Sequence, residues 1–160
     1  MQQPVAPQDL DTGTLALFVG SAAADRIQQQ LDGQGFGDLR ISHGYVFQHL
    51  IEGQPTVGEL AAKLEMTQQG ASKAVADLER LGYTERVPDP RDARIRRIRL
   101  TGRGRSAVDA ARRARRVQDR RLAERVGEQR LAELRAVLAE LLDELGGTEA
   151  VRRRAVRAPR

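Results

Sequence analysis

Two threonines eleven positions apart, Thr56 and Thr67, and a glycine at Gly82 bracket the stretch that most constrains this chain. Thr56 precedes Glu59 by three residues, the capping-box spacing in which each side chain satisfies a free amide at the start of a helix. A short helix is therefore expected over 57–64, turning Leu60, Ala61 and Leu64 inward. Glu65-Met66 leaves room only for a tight connection before Thr67 caps a second helix over 68–81. Gly82 stands where a left-handed C-terminal residue belongs. Two short helices joined this closely form a helix-turn-helix corner.

The second helix has two distinct faces. Ala71, Val75, Leu78 and Leu81 recur at helical spacing and face inward, whereas Gln68, Gln69, Ser72, Lys73 and Ala76 fall on the opposite side. Glutamine pairs bidentately with adenine, lysine donates to guanine and serine serves either base, so Gln68, Gln69, Ser72 and Lys73 are candidate DNA readers. A helical corner alone is common to many proteins and does not separate DNA binding from packing.

The segment beyond Gly82 tips that balance. Residues 83–87 read as a strand, 88–93 as a turn and 94–100 as the returning strand. From Arg86 to Arg99 there are six arginines and two aspartates, a net charge of +4 over fourteen residues. An arginine-rich ribbon can lie on phosphates and enter a minor groove, which makes Arg91, Arg94 and Arg96 candidate DNA contacts. Asp92 would repel a phosphate, so it is expected to orient a neighbouring arginine, with Arg86 also assigned to holding the wing. Ile95 and Ile98 do not alternate cleanly, and a bulge or twist is expected between them.

The whole chain bears this out in bulk. It has 160 residues, enough for one domain, with a net charge of +5 and a pI near 10.6 that favour polyanionic partners. Arginine supplies 25 of the 27 basic residues. Aromatic residues are only 3 %, so the core is expected to rest on Leu, Val, Ile and Ala, a thin core that oligomerisation commonly supplements. The absence of cysteine excludes disulfides and thiolate metal sites. His43 and His49 lie six apart without further ligands, and no metal or cofactor is expected. There is no apolar run of membrane-spanning length and no signal-peptide layout, so a soluble cytoplasmic protein is expected. No phosphate loop or nucleophile–His–acid set points to an enzyme.

Helices are also expected over 11–31, 42–52 (capped by Ser42), 102–126 and 128–145. The arginine-rich tail, 146–160, is expected to be disordered. The 102–126 helix carries nine arginines. Arg103 and Arg105 at its start are assigned to a phosphate-facing field, and its distal half to a solvated face laced by Asp109, Asp119 and Glu124. The fold class is thus mostly α with a small β-hairpin wing.

Thr56-Val57-Gly58-Glu59-Leu60-Ala61, Ala71-Ser72-Lys73, the run from Leu78 to Tyr83, Arg86, Asp92-Ala93-Arg94 and Leu100-Thr101-Gly102-Arg103-Gly104 together resemble the MarR family. That resemblance implies a winged helix-turn-helix lobe over 39–101 and an obligate homodimer joined through helices at 11–31 and 102–145. It also implies a palindromic duplex-DNA operator, with Gln69, Ser72 and Lys73 in the major groove, Arg94 in the minor groove and Asp92 as its partner. Members often bind a small aromatic or anionic effector between lobe and dimer helices, and Arg40, His43 and Tyr45 are the candidates to line such a site. The chain departs from the family pattern at His43, at Gly70 and in its arginine-laden long helix. The competing reading is an architectural nucleic-acid binder with little sequence preference.

Overall fold

Asp11 caps the first long helix, its carboxylate accepting from the Thr14 amide at 3.0 Å. The computed structural model describes residues 6–154. After a single 3-10 turn at Pro7–Asp9 come α1 (Thr12–Asp32), α2 (Ile41–Leu50), α3 (Val57–Lys63) and α4 (Gln68–Arg80). An antiparallel pair, β1 (Thr84–Pro88) and β2 (Arg96–Leu100), comes next, then α5 (Gly102–Val126), α6 (Glu128–Glu144) and α7 (Thr148–Arg152). The expected mostly helical winged fold is what the chain forms.

Capping chemistry places the middle helices as the sequence implies. Thr56 and Glu59 exchange hydrogen bonds at 2.8 and 3.2 Å, and the Thr67 hydroxyl accepts from the Gly70 amide at 3.1 Å. Gly70 has a packing reason, because a Cβ there would lie 3.1 Å from the Thr67 hydroxyl and 3.3 Å from the Met66 methyl. Gly82 takes φ +79°, the left-handed cap that a side chain would strain. α2 differs from expectation at its start. Its N-cap is Arg40 rather than Ser42, because the His43 ring accepts the Arg40 amide at 3.1 Å and pulls the helix start forward.

The wing also differs. Residues 94 and 95 are not part of β2, because the Ile95 amide donates to the Asp92 carbonyl and closes a turn. The pairing runs without interruption from Thr84–Leu100 to Pro88–Arg96, so no bulge is needed. Ile98 is fully buried while Ile95 is 42 % exposed, and this explains why the two isoleucines do not alternate. The Ile98 amide donates to the Pro55 carbonyl at 2.9 Å and ties the hairpin to the entrance of α3.

The core centres on Tyr83, which is fully buried. Phe47 and Phe36 lie 6.0 and 6.3 Å from its ring, in tilted arrangements suited to aromatic pairs. Leu60, Val75, Leu78 and Ile98 complete the centre. Three of the five aromatic residues thus gather at one point, so the core does not rest on aliphatic residues alone. The Tyr83 hydroxyl donates to Asp38, and the Arg103 guanidinium stacks 4.6 Å above the ring while pairing with Asp38 at 3.0 Å. Arg105 donates to the Leu100 carbonyl at 2.8 Å. Both arginines expected to face phosphates are therefore engaged in joining α5 to the lobe.

Outside the lobe, α1 packs along α5, and α5 packs against α6. Phe18 and Val19 on α1 remain 61 % and 59 % exposed, and Leu134, Val137 and Leu138 on α6 are similarly uncovered. The distal half of α5 is laced in part, with Arg135 of α6 reaching across to Asp119, and in the first half Arg112 pairs with Asp109. The tail expected to be disordered is helical at Thr148–Arg152, and Arg154 pairs with Glu52 at 2.9 Å. Residues 155–160 of that tail lie outside the described residues. No helix among the described residues is long and apolar enough to cross a membrane.

Candidate nucleic-acid interface

The exposed face of α4 and the inner side of the wing enclose an open groove of about 790 Å³. Gln68, Gln69, Ser72 and Lys73 line one wall, and Arg86 and Arg96 line the other. Ala71, Val75 and Leu78 are fully buried on the opposite side of α4, so packing dictates which face looks outward. Six of the residues expected to contact DNA or hold the wing are brought together here. Arg91 and Arg94 stand outside the groove lining.

Arg94 is held out from the wing with its side chain 90 % exposed. Its guanidinium donates to both oxygens of Asp92, at 3.0 and 2.9 Å, and its amide donates to Asp92 at 3.0 Å. The Arg94 side chain first, then the Arg94 amide, hold the Asp92 carboxyl below the usual carboxylate range. Arg86, meanwhile, pairs with Glu79 at 3.1 Å and fastens β1 to α4.

Two wing residues carry roles that the local sequence pattern did not assign. Asp89 is buried, accepts the Arg91 amide at 2.7 Å and pairs with the Arg97 guanidinium. Arg97 also donates to the Gln54 carbonyl at 2.9 Å and approaches Glu59 at 3.4 Å. The Arg91 amide first and Arg97 second lower the pKa of Asp89. The available signal was an aspartate two residues before the amide it binds, the pattern of an Asx turn. Arg99 pairs with Glu85 at 2.9 Å. The net +4 of the hairpin therefore overstates its free charge. Among the described residues, Arg91 and Arg96 form no ion pair.

A second cavity, of about 730 Å³, opens on the other side of α4 against the start of α2. Arg40, His43 and Tyr45 line it, together with Lys73 and Asp77 from α4. His43 is buried, and its desolvation, then the Arg40 charge, lowers its pKa from the ordinary 6.5. Its δ nitrogen accepts the Arg40 amide, so the neutral ring carries its proton on Nε2.

Linkage gives the sign of the resulting pH dependence. Below about pH 6.5 the unfolded chain gains a proton at His43 that the folded chain resists, so stability falls as pH drops through that range. His49 shifts the same way, burial again being the first cause. His43→Asn is expected to reduce the stability difference between pH 7.5 and 5.5, measured by urea denaturation. An unchanged difference would exclude His43 as a buried neutral acceptor.

A helix-turn-helix pair set beside an arginine-bearing two-stranded hairpin defines a winged helix-turn-helix fold. Residues 38–95 match the model of the MarR family. No curated protein sequence matches the chain. Among solved structures, a MepR variant from S. aureus superposes with a TM-score of 0.69 at 21 % identity, covering 85 % of this chain and 99 % of that one. A MarR family protein from Bacillus stearothermophilus superposes at 0.66 and 22 % identity, with coverages of 84 % and 92 %. Another S. aureus MepR variant, bound to an oligodeoxyribonucleotide, superposes at 0.62 and 22 % identity, with coverages of 85 % and 99 %. Residues 38–95 are thus similar to the MarR family, and the chain has the fold of these solved structures.

Proposed function

We propose that this protein is a sequence-specific duplex-DNA-binding repressor that acts as a homodimer on a two-fold symmetric operator in the cytoplasm. The observation that carries this reading is the groove that unites Gln68, Gln69, Ser72 and Lys73 with Arg86 and Arg96. The α4 side chains have the chemistry to read base edges, and the projecting Arg94 that to enter a minor groove. The S. aureus MepR variant bound to an oligodeoxyribonucleotide supports the direction.

Dimerisation is supported by the uncovered apolar residues of α1 and α6. α5, at 25 residues and about 1.5 Å per residue, is long enough to join a dimer interface to the lobe. Arg40, His43 and Tyr45 are proposed to receive a small aromatic or anionic effector that releases the DNA.

Selection of bound duplexes from a random pool tests the main reading. A two-fold symmetric consensus bound far more tightly than random duplex is the expected result. Binding without sequence preference would replace it with the architectural reading. Failure to retain any duplex would overturn both.

A further inference from the structure

Lys73 belongs to two concave surfaces at once. On α4, Gln69, Ser72, Lys73 and Ala76 form one stripe at i, i+3, i+4 and i+7, and this stripe walls the DNA groove. Gly70, Lys73, Ala74 and Asp77 form the adjoining stripe by the same spacing and wall the cavity against α2. Lys73 is the ridge between them. Its four-carbon stem lets a single ammonium turn to either side, and among the described residues it forms no ion pair.

Across the cavity, Arg40 supplies the second cation and likewise forms no ion pair among the described residues. Tyr45, Val46 and Leu64 provide apolar surface on the same lining. Asp77 on the same lining, 3.8 Å from Arg80, disfavours a second negative charge on the occupant. The cavity therefore suits a monoanion carrying an apolar body.

We infer that such a monoanion, seated between Arg40 and Lys73, draws the Lys73 ammonium out of the DNA groove, so that ligand and DNA compete for one side chain. This rests on the effector proposal and goes beyond it in mechanism. Release happens within each lobe and requires no change in the spacing of two recognition helices. A ligand acting through that spacing would instead need both half-sites to be occupied.

The test uses the full chain, benzoate as the monoanionic probe and benzamide as its uncharged counterpart. Binding to the DNA-free protein is measured by calorimetry. DNA affinity is measured on a duplex with one half-site and on one with two, the sequences coming from the selection experiment. Benzoate should bind at least tenfold more tightly than benzamide, and Lys73→Met and Arg40→Met should each erase most of that preference. Benzoate should also weaken single-half-site binding about tenfold in the wild type, an effect reduced to within twofold in Lys73→Met.

If benzoate binds but Lys73→Met leaves its affinity unchanged, or if inhibition appears only on the two-half-site duplex, the shared-lysine mechanism is overturned while the effector cavity survives. If neither probe binds, the cavity reading falls and the mechanism with it. Circular dichroism melts of both variants show whether a loss reflects unfolding.

Discussion

Replacing Gly104 by alanine should destabilise this protein more than the same change at any glycine of the lobe. A Cβ on Gly104 would sit 2.2 Å from the Tyr83 carbonyl oxygen and 3.1 Å from a Leu100 methyl. The clash is with backbone, and that same carbonyl accepts the Thr101 amide at 3.0 Å, so it has little freedom to move. α5 must therefore shift away from the buried Tyr83, at a cost of about 3 kcal/mol. For a domain of this size that lowers Tm by about 6–12 °C. Gly102→Ala serves as the contrast, because nothing lies within 4 Å of a Cβ there. It should melt at or slightly above the wild-type temperature, given alanine's higher helix propensity. Equal melting of Gly104→Ala and wild type would refute the close approach of α5 to the Tyr83 carbonyl.

The second large effect concerns how the two elements proposed to face DNA would divide the work. Lys73→Ala should cost about 1–3 kcal/mol on the preferred site and relax discrimination at one or two positions per half-site. Arg94→Ala should weaken binding to all sequences and reduce the salt dependence by about one counterion per subunit. Asp92→Ala is the informative variant. Removing a negative charge near DNA should tighten binding by simple electrostatics. The geometry predicts the reverse, because Asp92 grips the Arg94 guanidinium with both oxygens and its amide with one. A 90 % exposed arginine released from that grip loses rotamer entropy each time it enters a groove. Affinity measured for the three variants across salt concentrations decides the matter, and tighter binding by Asp92→Ala would remove the orienting role.

Much of the lobe was legible in the chain itself, because its signals are local. Thr56, Glu59, Thr67 and Gly82 announce the limits of α3 and α4 through hydrogen bonds that close within three or four residues. The helical spacing of Ala71, Val75 and Leu78 settles which face of α4 is buried, and so which side chains face outward. Asp92 and Arg94, two residues apart, met as the sequence suggested, again because the contact is local.

Other assignments needed partners distant in sequence. The excess of arginine in the hairpin looks like DNA-binding charge, yet Arg86, Arg97 and Arg99 are drawn onto Glu79, Asp89 and Glu85. Charge counting along the chain cannot separate an arginine aimed at solvent from one aimed at a carboxylate on the next strand. Arg103 is a similar case, since its partner Asp38 lies 65 residues away and becomes a neighbour only when the α1–α2 loop folds over Tyr83. Gly104 stood in a recognisable motif, but the carbonyl it must clear belongs to another element. The dual position of Lys73 likewise exists only once α2 and the wing flank α4 on either side. Short-range hydrogen bonding and periodicity thus determined which elements form and which faces they bury. Long-range packing decided which charges remain free, because only the folded chain sets distant carboxylates within reach of particular arginines.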